Sequence, residues 1–355
     1  MKAAVLEEFG SPLVIETLPD LQPGAGEVVV DVVAAPVLPY AAEVFGGARG
    51  FPTLLPLAVG VGAIGRVRAV GPDATRLASG DWVLCDPTVR SRDDAVSPDV
   101  MLQGWIAPTE GARRLQSHFR NGPFAERMLI PMENAVRLGE IDRAEAGRWC
   151  ALGTFLVPYG GLLAADLQAG ETVLISGATG HFGSAGVALA LAMGAGCVVA
   201  PGRNEAVLED LTRRFGPRVR TVVLTGDEDE DRESMSQAAP GPIDKVLDIL
   251  PPLPNAAPVR AAAMTVRPHG TVVLMGGLRV GLELPYSHLM RNGITVRGQY
   301  MYTRDAPARL VALIRSGLLS LDDFEVTSFE LDIANEAVAY AAEKGGPFRV
   351  MVIQP

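Results

Sequence analysis

Two rhythms of apolar and polar positions divide the chain. Over the first 150 residues short apolar runs are cut by glycine and proline. Val28-Val29-Val30-Asp31-Val32-Val33 follows the turn Pro23-Gly24-Ala25-Gly26, Gly60 to Val70 alternates small and β-branched residues up to Gly71-Pro72-Asp73, and Asp81-Trp82-Val83-Leu84-Cys85 makes a further short run. Many short strands with this punctuation predict a barrel-like module. From about residue 155 to 300 strands alternate with helices: the pattern predicts strands at 172–176, 196–200, 220–224, 244–249 and 271–275, and helices at 182–194 and 204–215. Right-handed crossovers make such strands a parallel sheet covered on both faces. Leu282-Glu283-Leu284 and Ile294-Thr295-Val296 read as edge strands, 306–318 and 332–344 as helices, and Phe348-Arg349-Val350-Met351-Val352-Ile353 as a last strand.

The most informative stretch is the buried-strand pattern Thr172-Val173-Leu174-Ile175-Ser176 running into Gly177-Ala178-Thr179-Gly180-His181-Phe182-Gly183 and the small-residue run Ser184-Ala185-Gly186-Val187-Ala188. Glycines spaced by three let backbone N–H groups approach a pyrophosphate, and the helix that follows points its positive end at the same anion. The spacing is GxxGxxG, and Cys197-Val198-Val199-Ala200 supplies the second strand that a dinucleotide-binding βαβ unit requires. An NAD-preferring unit ends that strand with an acid on the ribose hydroxyls. Here it ends Ala200-Pro201-Gly202-Arg203-Asn204, which leaves room for a 2′-phosphate and places a guanidinium beside it, so NADP(H) is the expected cofactor. Glu205 is positioned to compete for Arg203 or to contact a ribose itself.

Composition narrows the class. A chain of 355 residues is long enough for two domains, and 48% hydrophobic with 20% charged residues fits a globular protein. A net charge of −10 argues against a nucleic-acid surface, and the acidic run Asp227-Glu228-Asp229-Glu230-Asp231 is expected as a solvated loop. Cys85, Cys150 and Cys197 are far apart and form no CxxC pair, which suits a reducing cytoplasm better than a disulfide framework or a zinc knuckle. Glu7 and Glu8 interrupt the start before any apolar leader region, and no run approaches the ~20 apolar residues of a membrane span. The expected location is cytoplasmic, with no membrane partner.

The order of elements resembles the medium-chain dehydrogenase/reductase superfamily over nearly the whole chain. The markers are Lys2-Ala3-Ala4-Val5, Pro23-Gly24-Ala25-Gly26-Glu27-Val28, Gly65-Arg66-Val67 with Val70-Gly71, Gly80-Asp81-Trp82-Val83, Ala169-Gly170-Glu171-Thr172-Val173-Leu174 and Gly270-Thr271-Val272-Val273. The resemblance implies an α/β protein with a GroES-like β-barrel catalytic domain at 1–153, a doubly wound Rossmann domain at 154–300, and a return to the catalytic domain at 301–355. Zinc alcohol dehydrogenases of that superfamily carry metal ligands in columns that fall here at Leu38, at Gly60-Val61-Gly62 and at about Gly153, none of which offers a donor. Residues 88–122 contain none of the four cysteines of a structural zinc lobe. The chain therefore resembles the zinc-independent, quinone-oxidoreductase-like branch. The Asn and Asp common in that branch fall at Leu38 and Ala41, which separates this protein from the usual quinone reductases.

With no metal, a developing oxyanion needs another donor. The proton-relaying Ser or Thr column of the zinc enzymes is Tyr40, a candidate catalytic acid or a tyrosine that packs against substrate. Tyr159 reads as packing near the cofactor. His181 is either a pyrophosphate contact or a solvent-facing loop residue, His269 a turn residue, and His118 and His288 show no partner in the sequence. The backbone at Met275-Gly276-Gly277, at a strand's carboxyl edge, is expected to meet the nicotinamide carboxamide. Trp105, Phe119, Phe124, Phe51, Tyr300 and Tyr302 would line an apolar pocket or form ordinary core. The leading expectation is an NADPH-dependent reductase of a small-molecule enone, quinone or carbonyl. The alternatives are a catalytically silent NADPH-binding structural or regulatory protein and an alcohol dehydrogenase. A homodimer through Gly281 to Met301 completes the set, because an uncovered sheet edge leaves unpaired backbone donors and acceptors.

Overall fold

The computed structural model describes all 355 residues, and they fall into two compact units, Met1–Gly153 with Leu321–Pro355, and Thr154–Ser320. The second unit runs on to Ser320, so residues 301–320 belong with it and not with the returning segment.

In the first unit the strand Glu27–Val37 is the axis of a seven-stranded sheet. Bulges between Val29 and Val30 and between Val32 and Ala34 bend it, which increases its twist and lets its two ends take different neighbours. Glu27–Asp31 pairs with Arg127–Pro131, whereas Ala35–Val37 pairs with the chain's last strand, Arg349–Gln354. The GroES-like barrel thus takes its closing strands from the end of the chain. Where a structural zinc lobe would lie, residues 88–122 form the hairpin Thr88–Arg90 with Val100–Leu102 and the helix Glu110–His118. Val89, Met101, Ala107, Ala112 and Phe119 give this lobe an apolar core of its own.

The second unit is a six-stranded, wholly parallel sheet in the order Val219–Val223, Cys197–Gly202, Thr172–Ser176, Ile243–Asp248, Val266–Leu274, Thr295–Gly298. This is the doubly wound order whose direction reverses beside Thr172–Ser176, the point at which such sheets bind ligands. Thr172–Ser176 is buried throughout because both faces are covered.

Two local expectations differ from the structure. The acidic run is the start of the helix Glu228–Ala238: Asp227 accepts from the N–H groups of Asp229 and Glu230, and four acids occupy the first turn, where the helix dipole favours them. Leu282–Leu284 forms no strand; Leu284 packs against the core around Ile243 and Val266, and only Thr295–Gly298 pairs with the sheet. No helix is long and apolar enough to cross a membrane.

The carboxyl edge of this sheet is tied together by Asp248. In register with Ser176 on one side and Leu274 on the other, it is 3% exposed. Its carbonyl accepts the Met275 N–H at 3.1 Å, and Gly277 N–H reaches Leu250 O at 2.7 Å. Its carboxylate accepts from Leu250 N–H and Gly276 N–H. Burial pushes this carboxyl up to about 6, and the two backbone donors offset that only in part.

A raised acid binds its proton more tightly folded than unfolded, so its contribution to stability is greatest at low pH and falls as pH rises from the ordinary aspartate range through about 6. Asp248→Asn does not titrate. Between pH 7.5 and pH 4 the stability difference between wild type and Asp248→Asn is therefore expected to move in favour of wild type by up to about 3 kcal/mol, read from urea unfolding. A pH-independent difference would overturn this assignment.

Candidate functional site

The glycine loop follows from backbone crowding. Gly177 adopts a φ of +95°, open to glycine at no steric cost, and its carbonyl turns back to accept Gly180 N–H at 2.9 Å. A Cβ on Gly183 would stand 1.9 Å from that carbonyl oxygen, so only glycine lets the helix His181–Ala192 begin so close to the strand end. Gly180 occupies the N-cap position with no side-chain hydrogen bond, and the positive end of the helix faces outward without a capping oxygen.

Ala178 is buried beneath the loop, and His181 and Phe182 are half-buried with their rings edge-to-face at 5.0 Å. His181 Nε2 lies 3.1 Å from the hydroxyl of Thr154, a buried residue of the helix Ala151–Ala164. His181 is therefore not a solvent-facing loop histidine. That helix approaches the sheet edge through its own glycines: a Cβ on Gly161 would meet Leu247 at 2.4 Å and Met275 Sδ at 2.6 Å.

Gly202 ends the second strand beside the loop, close enough that its missing Cβ would fall 2.2 Å from Thr179 Cγ2. Arg203 is exposed and makes no ion pair, so Glu205 does not sequester it. Asn204 is committed locally, capping the helix Glu205–Phe215 by accepting from Val207 N–H at 3.3 Å. Met275, Gly276 and Gly277 leave the fifth strand opposite Leu250, Pro252 and Asp248. The loop, the second strand end and the fifth strand end thus lie on one carboxyl edge of the second unit.

Tyr40 belongs to the first unit. It precedes the helix Ala41–Phe45, half-buried, with its ring edge-to-face on Trp105 at 5.9 Å and the Arg49 guanidinium 4.7 Å above it. Arg49 is held in turn by Glu43 at 2.7 Å. Trp105 also meets Phe45, which meets Phe124. Phe124 is fully buried and Phe119 lies in the lobe core, so these two aromatics are core. Tyr302 is 4% exposed and Tyr300 55%.

Other candidates resolve into structural roles. Tyr159 is buried, which raises its phenol, and Arg309 contacts the ring and hydroxyl. His269 turns the chain with φ +61° and donates its N–H to Asn292 O, while His118 pairs with Glu27 and His288 contacts Asn292.

The metal columns offer no donors in three dimensions either. Leu38 follows the axial strand, the space beside Gly60 is filled by the Phe124 ring at 2.6 Å, and Gly153 faces open space. No group of three or more His, Cys, Asp or Glu side chains in the chain is arranged to hold a metal ion. All three cysteines are buried, and burial pushes the Cys85 and Cys150 thiols up, away from the thiolate a metal needs. Zinc therefore does not fit these residues, whereas a dinucleotide fits the loop.

Sequence reasoning missed three residues here. Asp248 carried a readable signal, an acid interrupting the apolar run Val246-Leu247-Asp248-Ile249-Leu250 near a strand's carboxyl end. Thr154 carried none, since only the tertiary fold brings it to His181, and Arg49 carried none because nothing in the sequence of the turn after the helix Ala41–Phe45 marks its return to Tyr40.

Residues 24–140 match the alcohol dehydrogenase GroES-like domain and residues 182–316 the zinc-binding dehydrogenase family. An alcohol dehydrogenase from Moraxella sp. (strain TAE123) is 30% identical over 313 residues, 86% of each chain. Among solved structures, AibC superposes with a TM-score of 0.80 at 26% identity, covering 100% of this chain and 96% of its own. A protein of Sinorhizobium meliloti 1021, assigned as a zinc-binding dehydrogenase and bound to NADP, superposes at 0.79 with 20% identity over 100% and 99% of the two chains. With both domains matched in order around an intact glycine loop, the chain belongs to the medium-chain dehydrogenase/reductase superfamily of oxidoreductases.

Proposed function

We propose that the protein is a zinc-independent NADPH-dependent reductase of a small-molecule enone, quinone or carbonyl. One observation carries this reading: the dinucleotide loop keeps the backbone it needs, while the positions that would hold a metal carry leucine, valine and glycine. Bound NADPH supplies a hydride, two electrons with one proton, to the electrophilic carbon.

The chain's residues supply the rest. The uncapped helix at Gly180 and the Gly177–Gly183 backbone take the pyrophosphate, and Arg203 takes the 2′-phosphate beside Gly202. Met275, Gly276 and Gly277 offer backbone to the carboxamide. Tyr40 donates its phenolic proton to the oxygen on which negative charge develops, and water restores that proton. The Arg49 guanidinium over the ring and the Trp105 edge fix the phenol's position. The buried, unpaired cysteines support a cytoplasmic setting.

NADPH oxidation against quinones, enones and aldehydes tests the reading directly. With a substrate that turns over well, Tyr40→Phe is expected to lower kcat by about 10²–10³ while NADPH affinity stays near wild type, because the ring that packs on Trp105 is kept. A wild-type rate in the mutant would assign the proton to water or another side chain. No turnover with any acceptor, beside tight NADPH binding, would favour the silent binding protein.

Metal content gives a separate check. Elemental analysis of dialysed protein is expected to show no stoichiometric zinc, and about one zinc per chain would remove the metal-free mechanism.

The exposed edge Thr295–Gly298, with Tyr286 79% and Met290 60% exposed nearby, supports a homodimer joined along that strand. Light scattering at micromolar concentration should give twice the chain mass; a monomer would contradict the pairing.

A further inference from the structure

We infer that Thr179 and Gly202 act as a matched pair that selects the phosphorylated adenosine ribose, with the Thr179 hydroxyl as a second donor to the 2′-phosphate beside Arg203. The inference rests on the NADPH reading and deepens it.

Thr179 lies in the glycine loop and Gly202 at the end of the next strand, so they are adjacent only because the βαβ unit folds. From the position a Cβ would take on Gly202, Thr179 Cγ2 is 2.2 Å away, Oγ1 2.9 Å and Cβ 3.1 Å. The threonine side chain therefore fills the volume into which any side chain at 202 would project. An acid there, the residue type that accepts hydrogen bonds from an unphosphorylated ribose, would have to displace the Thr179 side chain. Its place is taken by a hydroxyl.

That hydroxyl is uncommitted. Thr179 is half-buried and its Oγ1 makes no hydrogen bond within the chain, in contrast to Thr109, Thr225 and Thr265, whose hydroxyls are all engaged. Arg203, next to Gly202, is likewise unpaired, although Arg213 and Arg214 in the following helix both pair with Asp210. A hydroxyl and a guanidinium without internal partners, flanking a glycine with no side chain, make a donor set for a phosphate monoester. The 2′-phosphate presents oxygens to both, whereas a bare 2′-hydroxyl leaves Arg203 without an anion. Cofactor choice is then written in two positions, and changing Gly202 alone adds a clash without making a ribose acceptor.

The adenosine half can be tested without nicotinamide or turnover. Isothermal titration with 2′,5′-ADP and with 5′-AMP isolates the subsite in wild type, Thr179→Val, Thr179→Ser, Arg203→Ala, Gly202→Asp and the double variant Thr179→Gly with Gly202→Asp. Wild type should bind 2′,5′-ADP more tightly than 5′-AMP. Thr179→Val keeps the shape and removes the donor, so it should weaken 2′,5′-ADP about tenfold and leave 5′-AMP within about twofold, while Thr179→Ser keeps wild-type selectivity. Arg203→Ala should act in the same direction. Gly202→Asp alone should weaken both ligands, and adding Thr179→Gly should recover 5′-AMP but not 2′,5′-ADP.

An unchanged ratio of the two affinities in Thr179→Val, beside a wild type that prefers 2′,5′-ADP, overturns the role of Thr179 and leaves the NADPH reading standing. Equal loss of both ligands in Thr179→Val overturns it too, since that is the result of a deformed loop. A wild type that does not distinguish the two ligands defeats the NADPH reading itself, and the pair with it.

Discussion

The contact on which the carboxyl edge of the second unit depends is one of backbone against backbone, the close approach of Gly183 to the carbonyl of Gly177. With only 1.9 Å between that oxygen and the position of a Cβ, no other residue allows the helix to start there. Because it does, the first turn's N–H groups face the end of the Thr172–Ser176 strand, where the sheet order reverses. The other features of the edge adjust to this placement. Thr179 is carried over Gly202, and His181 is brought within reach of Thr154. The neighbouring helix closes on the sheet through Gly161, and Gly160 of that helix lies against the carbonyl of Met301. Close approaches of this kind gain little from hydrophobic area, since glycine buries almost none; their value is geometric, in fixing where polar backbone points.

The first unit shows the same economy turned to a different end. Gly60, Gly104 and Gly122 lie so close that a Cβ on Gly104 would be 2.3 Å from Gly60 O and 2.5 Å from Gly122 Cα. Relatives in the superfamily are named for zinc, yet here the space beside Gly60 is taken by the Phe124 ring, and the lobe from 88 to 122 is held by Val89, Met101 and Phe119. Apolar packing holds this lobe together. The three cysteines lie outside this lobe, all buried, and burial pushes their thiols up.

How far the sequence was legible follows from what each signal encodes. Strands covered on both faces read as unbroken apolar runs, so 172–176 was placed residue for residue, and the strands near 197, 220 and 244 to within a residue or two. The glycine loop was legible because it imposes a spacing. The acidic run misled because charge density suggests a solvated loop, while the deciding fact is position: Asp227 caps a helix, and Asp231, 5% exposed, accepts from the backbone of Thr225 and Gly226. Leu282–Leu284 misled for the opposite reason, since alternation predicts a strand but the core offered Leu284 a better burial than the sheet edge. Thr154 against His181 has no local pattern at all.

Two buried carboxyls show how surroundings, not burial, decide what an acid can do. Burial pushes both Glu27 and Asp248 up. For Glu27 the hydrogen bond from His118, the Gly24 N–H and the charges of His118 and Arg92 outweigh it, and the carboxyl is held below its ordinary range. Asp248 has only the N–H groups of Leu250 and Gly276, with no cation near, and stays raised at about 6. The Glu27 carboxylate anchors the turn at Gly24 beside the axial strand, accepting the Gly24 N–H at 2.7 Å. Asp248 sits instead at the carboxyl edge of the parallel sheet, held by backbone N–H groups alone. Leaving the acid unpaired costs stability near neutral pH, where the carboxyl is ionised without a counter-charge.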